Sequence, residues 1–182
     1  MTSHLEFAAL VSYWLGDLDE AQEAAVEKHY FGCAQCAALL EEVEALSDGV
    51  RRAFYSGRVG AIVTQAFVER LRSRGLRLRE YQVPRNGSVN CSVGPEHDVL
   101  LGYLNDVALE GVTRIDAIVS LDHDVRLEDV PFDSATRRVI LAPSVQLMRS
   151  LPAHREVVRL VAVEEGGERL LGEYTFNHSA YR

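Results

Sequence analysis

The segment His29-Tyr30-Phe31-Gly32-Cys33-Ala34-Gln35-Cys36 decides how the first part of this chain is read. As H-x3-C-x2-C it places one imidazole and two thiols within about two helical turns, and nitrogen with sulfur is the donor mixture that zinc prefers. A second imidazole, His4, would complete a tetrahedron. The third cysteine, Cys91, lies far from this group in the sequence.

Other meanings of C-x-x-C fit less well. A thioredoxin-type dithiol follows a strand and opens a helix in a βαβ unit, whereas a helical pattern precedes Cys33. Haem attachment needs a histidine directly after the second cysteine, and position 37 is alanine. A disulfide framework needs more cysteines and an oxidising compartment. Two packed core thiols beside an incidental histidine remain the structural alternative.

The flanking sequence reads as helices. Ser3-His4-Leu5-Glu6 fits a capping box, and Phe7, Leu10, Val11, Trp14 and Leu15 recur at helical spacing up to Gly16, a natural stop. Asp17-Leu18-Asp19-Glu20 supplies a cap and first-turn carboxylates for a second helix over about 20–31. From Cys33 the apolar positions Cys36, Leu39, Leu40, Val43 and Leu46 predict a third helix, ending at Asp48-Gly49 or reaching Tyr55. Val59, Ile62, Val63, Ala66, Phe67 and Leu71 predict a fourth over about 58–73, before Gly75.

His4, 24 intervening residues, then His29-x3-Cys33-x2-Cys36 resembles the zinc-binding anti-sigma family. Its small helical domain carries H-x24/25-H-x3-C-x2-C and masks an alternative sigma factor of the extracytoplasmic-function type. The resemblance covers residues 1 to about 75. It implies that His4, His29, Cys33 and Cys36 hold one zinc ion per chain. It also implies that the partner is a sigma factor whose polymerase- and promoter-binding regions 2 and 4 are occluded, with the fourth helix wedged between them through Val59, Ile62, Val63 and Phe67. Some redox-sensing relatives have a cysteine at the first ligand position, where this chain has His4.

Charge agrees with a protein partner. The net charge of the chain is −8, and residues 1–48 carry ten acidic residues against Lys28, or −9. Direct binding of this segment to nucleic-acid phosphates requires the opposite sign. Residues 51–80 hold eight arginines against Glu69 and Glu80; arginine outnumbers lysine eighteen to one in the whole chain, so this run reads first as a solvated face.

After Gly75 the texture changes. The runs 76–83, 88–93, 99–104, 113–121, 137–142, 156–163 and 169–176 are short, β-branched or alternating, and turn signals such as Pro84-Arg85-Asn86-Gly87 separate them. They predict a β-sandwich or small barrel, with a helical turn at 144–151. Some soluble relatives of the resembled family carry a zinc-binding cupin here, which needs an H-x-H element followed by Glu and His. His97, His123, His154 and His178 occur singly instead. No G-x-S-x-G elbow and no glycine-rich phosphate loop is present, which argues against an enzyme.

At 182 residues, 47% hydrophobic and 25% charged, the chain is globular in composition and large enough for one medium or two small domains. No apolar run is long enough to span a bilayer, and residues 1–10 lack the basic start of a signal peptide. The expectation is therefore a cytoplasmic α + β protein in two domains. Residues 1–75 form an all-α zinc-binding anti-sigma unit and 76–182 a mainly-β unit that responds to a signal. The alternatives are a zinc-stabilised module for a non-sigma partner and a thiol-based redox or metal sensor using Cys33 and Cys36.

Overall fold

Local capping chemistry sets the first three helices. In the computed structural model, which describes residues 4–180, α1 spans Phe7–Leu15, α2 Glu20–Tyr30 and α3 Ala34–Tyr55. Gly16 closes α1 at φ 74°, where a side chain would be strained, and its N–H reaches the Ser12 and Tyr13 carbonyls. Asp19 caps α2 reciprocally: its carboxylate accepts from the Gln22 N–H at 2.8 Å, and the Gln22 side-chain oxygen accepts from the Asp19 N–H at 3.1 Å. The expected box at the start of α1 is not formed by Glu6, the N-cap residue, whose side chain makes no capping bond. Ser3 lies outside the described residues.

Contacts divide the chain into two compact units, the first ending at Ala53 and the second starting at Phe54. The first has a thin core. Among the described residues, Leu10, Val26 and Val43 form its buried cluster, ringed by half-buried side chains such as Trp14, Tyr30, Leu39 and Leu40. Leu46, expected on the inner face of α3, is 59% exposed, and Val50 one turn later is 58% exposed.

The second unit begins with the end of α3, so it takes in residues 54–75, which the sequence grouped with the helices. The single helix expected over 58–73 is instead a strand, β1 (Ala61–Val63), and a shorter helix, α4 (Gln65–Ser73). Ile62, Val63 and Thr64 are consecutive β-branched residues, which favour an extended chain, and Thr64 then turns the chain into α4 by accepting from the Phe67 N–H at 3.3 Å. Gly60 permits the approach to the neighbouring strand: a Cβ there would sit 3.1 Å from the Pro143 backbone.

The remaining elements are β2 (Leu78–Val83), β3 (Ser88–Cys91), β4 (Val99–Leu104), β5 (Ile115–Ser120), β6 (Asp124–Leu127), β7 (Val139–Ala142), α5 (Val145–Ser150), β8 (His154–Glu164) and β9 (Gly167–His178). They make a four-stranded sheet in the order β1-β7-β4-β2 and a five-stranded sheet in the order β3-β9-β8-β5-β6. Pairing is antiparallel except for β2 with β4 and β3 with β9. The seven predicted runs all became strands; β1 and β6 were not anticipated, the latter a run of only four residues, Asp124-Val125-Arg126-Leu127, all of them exposed.

Strand β4 is buried along its whole length because both faces are covered. Leu100 and Leu104 point into the core between the sheets, while Val99, Leu101 and Tyr103 face a second cluster built with Val68 and Leu71 of α4 and with Phe54 and Tyr55. The fold is therefore a β-sandwich-like unit with helical cover on the outside of one sheet.

Asp116 on β5 is 1% exposed. It accepts from the Asp129 N–H at 3.0 Å, from Arg126 at 2.8 Å and from Arg114 at 3.2 Å. Burial alone would raise this carboxyl, but those three donors hold it below the usual carboxylate range. Asp116→Ala should cost about 1–3 kcal/mol at pH 7, since Arg114 and Arg126 can turn to water while the Asp129 N–H is left unpaired. Because the folded pKa lies below the unfolded value of about 3.9, the contribution is complete above that value and fades as pH falls through the folded one. Urea denaturation of both proteins should show a gap that narrows from pH 6 to pH 3; a constant gap would contradict this account.

Candidate metal centre

The turn after α2 builds the site. Gly32 and Cys33 close it with N–H bonds to the His29 and Tyr30 carbonyls, at 3.0 and 3.3 Å, and the Cys33 carbonyl accepts from Ala37 as the first bond of α3. Cys33 thus occupies the N-cap position of α3 and Cys36 lies in its first turn. The Cys33 sulfur takes the role a capping oxygen usually fills. The Cys36 N–H is the main group that draws the Cys33 thiol down to about 6, helped by His4, by the Cys36 side chain and by the Gln35 N–H and opposed by partial burial.

His29 enters from the last turn of α2 and His4 from the residues leading into α1. The four donor atoms, one from each of His4, His29, Cys33 and Cys36, lie within 4.8 Å of one another. Cys33 Sγ is 3.4 Å and Cys36 Sγ 3.7 Å from His4 Nδ1, and Cys36 Sγ is 3.3 Å from His29 Nε2. With Zn–S of about 2.3 Å and Zn–N of about 2.0–2.1 Å, the sulfur-to-nitrogen edge of a tetrahedron is about 3.6 Å. The donors therefore stand at coordination spacing, and the S2N2 set fits a borderline-soft divalent ion. Burial is graded across the site, from exposed His4 through half-buried His29 and Cys33 to Cys36 at 1%.

One group was not legible beforehand. The Leu5 N–H points at Cys36 Sγ at 3.4 Å, a bond that orients a sulfur ligand and offsets negative charge on it. A backbone donor leaves no mark on residue identity; only its position next to His4 hints at it.

The expected partner-binding residues do not share one helical face. Val59 is exposed between elements, and Ile62 on β1 packs against the core between the sheets. Val63 is buried beside Val68 and Leu71, and Phe67 stacks edge-on with Phe54 at 5.3 Å between ring centres. Ile62, Val63 and Phe67 are thus taken up by the second unit's own packing.

No protein-family model matches the chain, and no curated protein does either. Among solved structures, the N-terminal domain of phage TP901-1 ORF48 is similar over 57% of this chain and 98% of its own, with 11% sequence identity and a TM-score of 0.38. That likeness is too slight to carry an argument. No helix among the described residues is long and apolar enough to cross a membrane.

The thiols should differ sharply in the metal-free protein. Cys91 is buried and its thiol is pushed up to about 11, by burial and by Glu156. At pH 7 the thiolate fraction then favours Cys33 by about four orders of magnitude, and the lower nucleophilicity of the more acidic thiolate returns about two. Alkylation by iodoacetamide, followed by peptide mass spectrometry, should therefore label Cys33 at least about 50-fold faster than Cys91. Bound metal should remove that advantage. Equal rates in the metal-free chain would contradict the burial of Cys91.

Proposed function

We propose that the chain is a zinc-containing anti-sigma factor: one zinc ion held by His4, His29, Cys33 and Cys36 fixes the helical unit, which binds a sigma factor across its regions 2 and 4. The convergence of the four donors at tetrahedral spacing is the observation that carries this reading. Their order and spacing are those of the resembled family. In this reading the protein is a binding protein and not an enzyme, and it works beside RNA polymerase in the cytoplasm.

The zinc would be structural. Four protein ligands leave no open position for a substrate or an activated water. A core cluster as small as Leu10, Val26 and Val43 contributes little cohesion, whereas zinc binding in finger peptides is worth on the order of 10 kcal/mol.

Partner recognition would combine charge and apolar anchors. The −9 charge of residues 1–48 complements the basic surfaces with which a sigma factor grips promoter DNA, and speeds encounter. Lasting affinity needs desolvated apolar contacts. Leu46 and Val50 supply them in this unit: they sit one turn apart on the exposed face of α3, next to the Glu41, Glu42 and Glu44 region.

Metal analysis of the purified protein should return close to one zinc per chain, and Cys36→Ala should lose it together with helical circular dichroism. The sheet signal should persist. A metal-free chain with full helicity would defeat the structural role. Copurification should yield a sigma factor, and transcription from its promoters should fall when the chain is added. Charge reversal at Glu41, Glu42 and Glu44 should slow association and flatten its salt dependence, while Leu46→Asp or Val50→Asp should weaken binding at least tenfold with zinc retained. A zinc-loaded protein that leaves sigma-dependent transcription untouched would rule the reading out.

A further inference from the structure

The register of the five-stranded sheet brings together side chains that are far apart in the sequence. Cys91 on β3, His178 on β9 and His154 on β8 are direct cross-strand neighbours, forming a row over three strands. Glu156 follows two residues after His154 and so shares its face of β8. The His154 and His178 rings lie 4.9 Å apart.

Both imidazoles present an unused lone pair. His154 Nδ1 is 2.9 Å from the Pro152 carbonyl, which can only accept, so Nδ1 carries the proton and Nε2 the lone pair. On His178 it is Nδ1 that lacks a partner. Both remaining nitrogens are buried without a hydrogen-bond partner, and the whole His178 side chain is 5% exposed. Two orphaned buried acceptors side by side are costly and rare in a native interior. Glu156 adds a third, acidic group to this face; burial disfavours its charge, and the neighbouring His154 offsets only part of that.

These groups line a recess of about 40 Å³, walled otherwise by apolar side chains such as Leu100, Met148 and Phe176. Leu141, Pro143, Met148 and Glu156 also line a groove of about 690 Å³, within the usual range for small-molecule sites. The groove is apolar along Val119, Leu121, Val125, Leu127 and Leu147, most of them exposed. Its charged rim is acidic, with Asp122, Glu128 and Asp129 against Arg58.

We propose that the groove and recess bind an amphipathic organic cation: an alkyl chain ending in a primary ammonium, its head on His154 Nε2, His178 Nδ1 and Glu156 and its tail along the groove. An ammonium has three donors and no acceptor, matching three acceptors and no donor. The alternative of a metal ion is disfavoured by spacing. Among the described residues, only the His4 group brings three or more such donors close enough for direct coordination, and the apolar groove beside the row suits an alkyl tail that a bare ion lacks. This site is independent of the zinc and sigma-factor reading.

Isothermal titration of the full zinc-loaded chain with octylamine, octanol and octanoate at pH 7 tests the proposal. Octylammonium should bind at one per chain, octanol at least tenfold more weakly, and octanoate not measurably. Glu156→Gln should lower octylammonium affinity at least tenfold while leaving octanol binding within twofold. His154→Gln, which keeps a polar side chain on the exposed end of the row, provides a second variant should Glu156→Gln fold poorly, and should also weaken octylammonium. Equal binding of octanol and octylammonium, preference for octanoate, or unchanged affinity in both variants would overturn the proposal. Uptake of a second zinc ion that depends on His154 and Glu156 would overturn it in favour of an ion site.

Discussion

The helical unit depends on bringing four soft donors to one point. Among the described residues, Leu10, Val26 and Val43 are its buried core cluster, little apolar surface to set the angles of three helices against the entropy of ordering them. The site joins all three: His4 precedes α1, His29 ends α2, and Cys33 and Cys36 open α3. A tetrahedral ion at this junction would fix positions that packing leaves loose. It would also free the outer surface of α3, where carboxylates and exposed Leu46 and Val50 lie together.

The second unit is held by a different principle. Its central strand β4 uses alternate side chains for two cores at once, one between the sheets and one beneath α4. At Gly102, where a Cβ would lie 2.9 Å from the Phe176 ring, the missing side chain lets the facing sheet close in. Polar groups inside this unit are mostly compensated, as Asp116 is by two arginines and a backbone N–H. His154 and His178 depart from that rule, and the departure adjoins an apolar groove of about 690 Å³. An interior that satisfies one buried carboxylate three times over and leaves two neighbouring imidazoles wanting is built for something besides stability.

The two units thus suit different tasks. One is small and acidic, and its three helices meet at a cluster of sulfur and nitrogen donors. The other is a larger sandwich with space inside it, suited to a small ligand. The two proposed roles, partner binding in one unit and ligand binding in the other, would together supply the parts for a regulated interaction.

The sequence by itself determined the metal centre and most of the secondary structure. Histidine and cysteine are rare and chemically specific, so H-x3-C-x2-C with a distant His4 has few other meanings. Strands such as β4 and β8 announced themselves through their run of apolar and β-branched residues. Tertiary structure decided the rest, for reasons of degeneracy and distance. Val59, Ile62, Val63, Ala66 and Phe67 satisfy a helical period, yet Ile62 and Val63 pair with Leu141 and Ile140 across β7, because a β-branched run follows whichever partner offers hydrogen bonds and burial. Leu46 matched the inner face of α3 but lies beyond the short core it would have joined. His154 and His178 looked solitary in the chain, 24 positions apart, and only the β8–β9 register sets them face to face. Local chemistry is written in residue identity; a site made by strand pairing exists only once the strands have met.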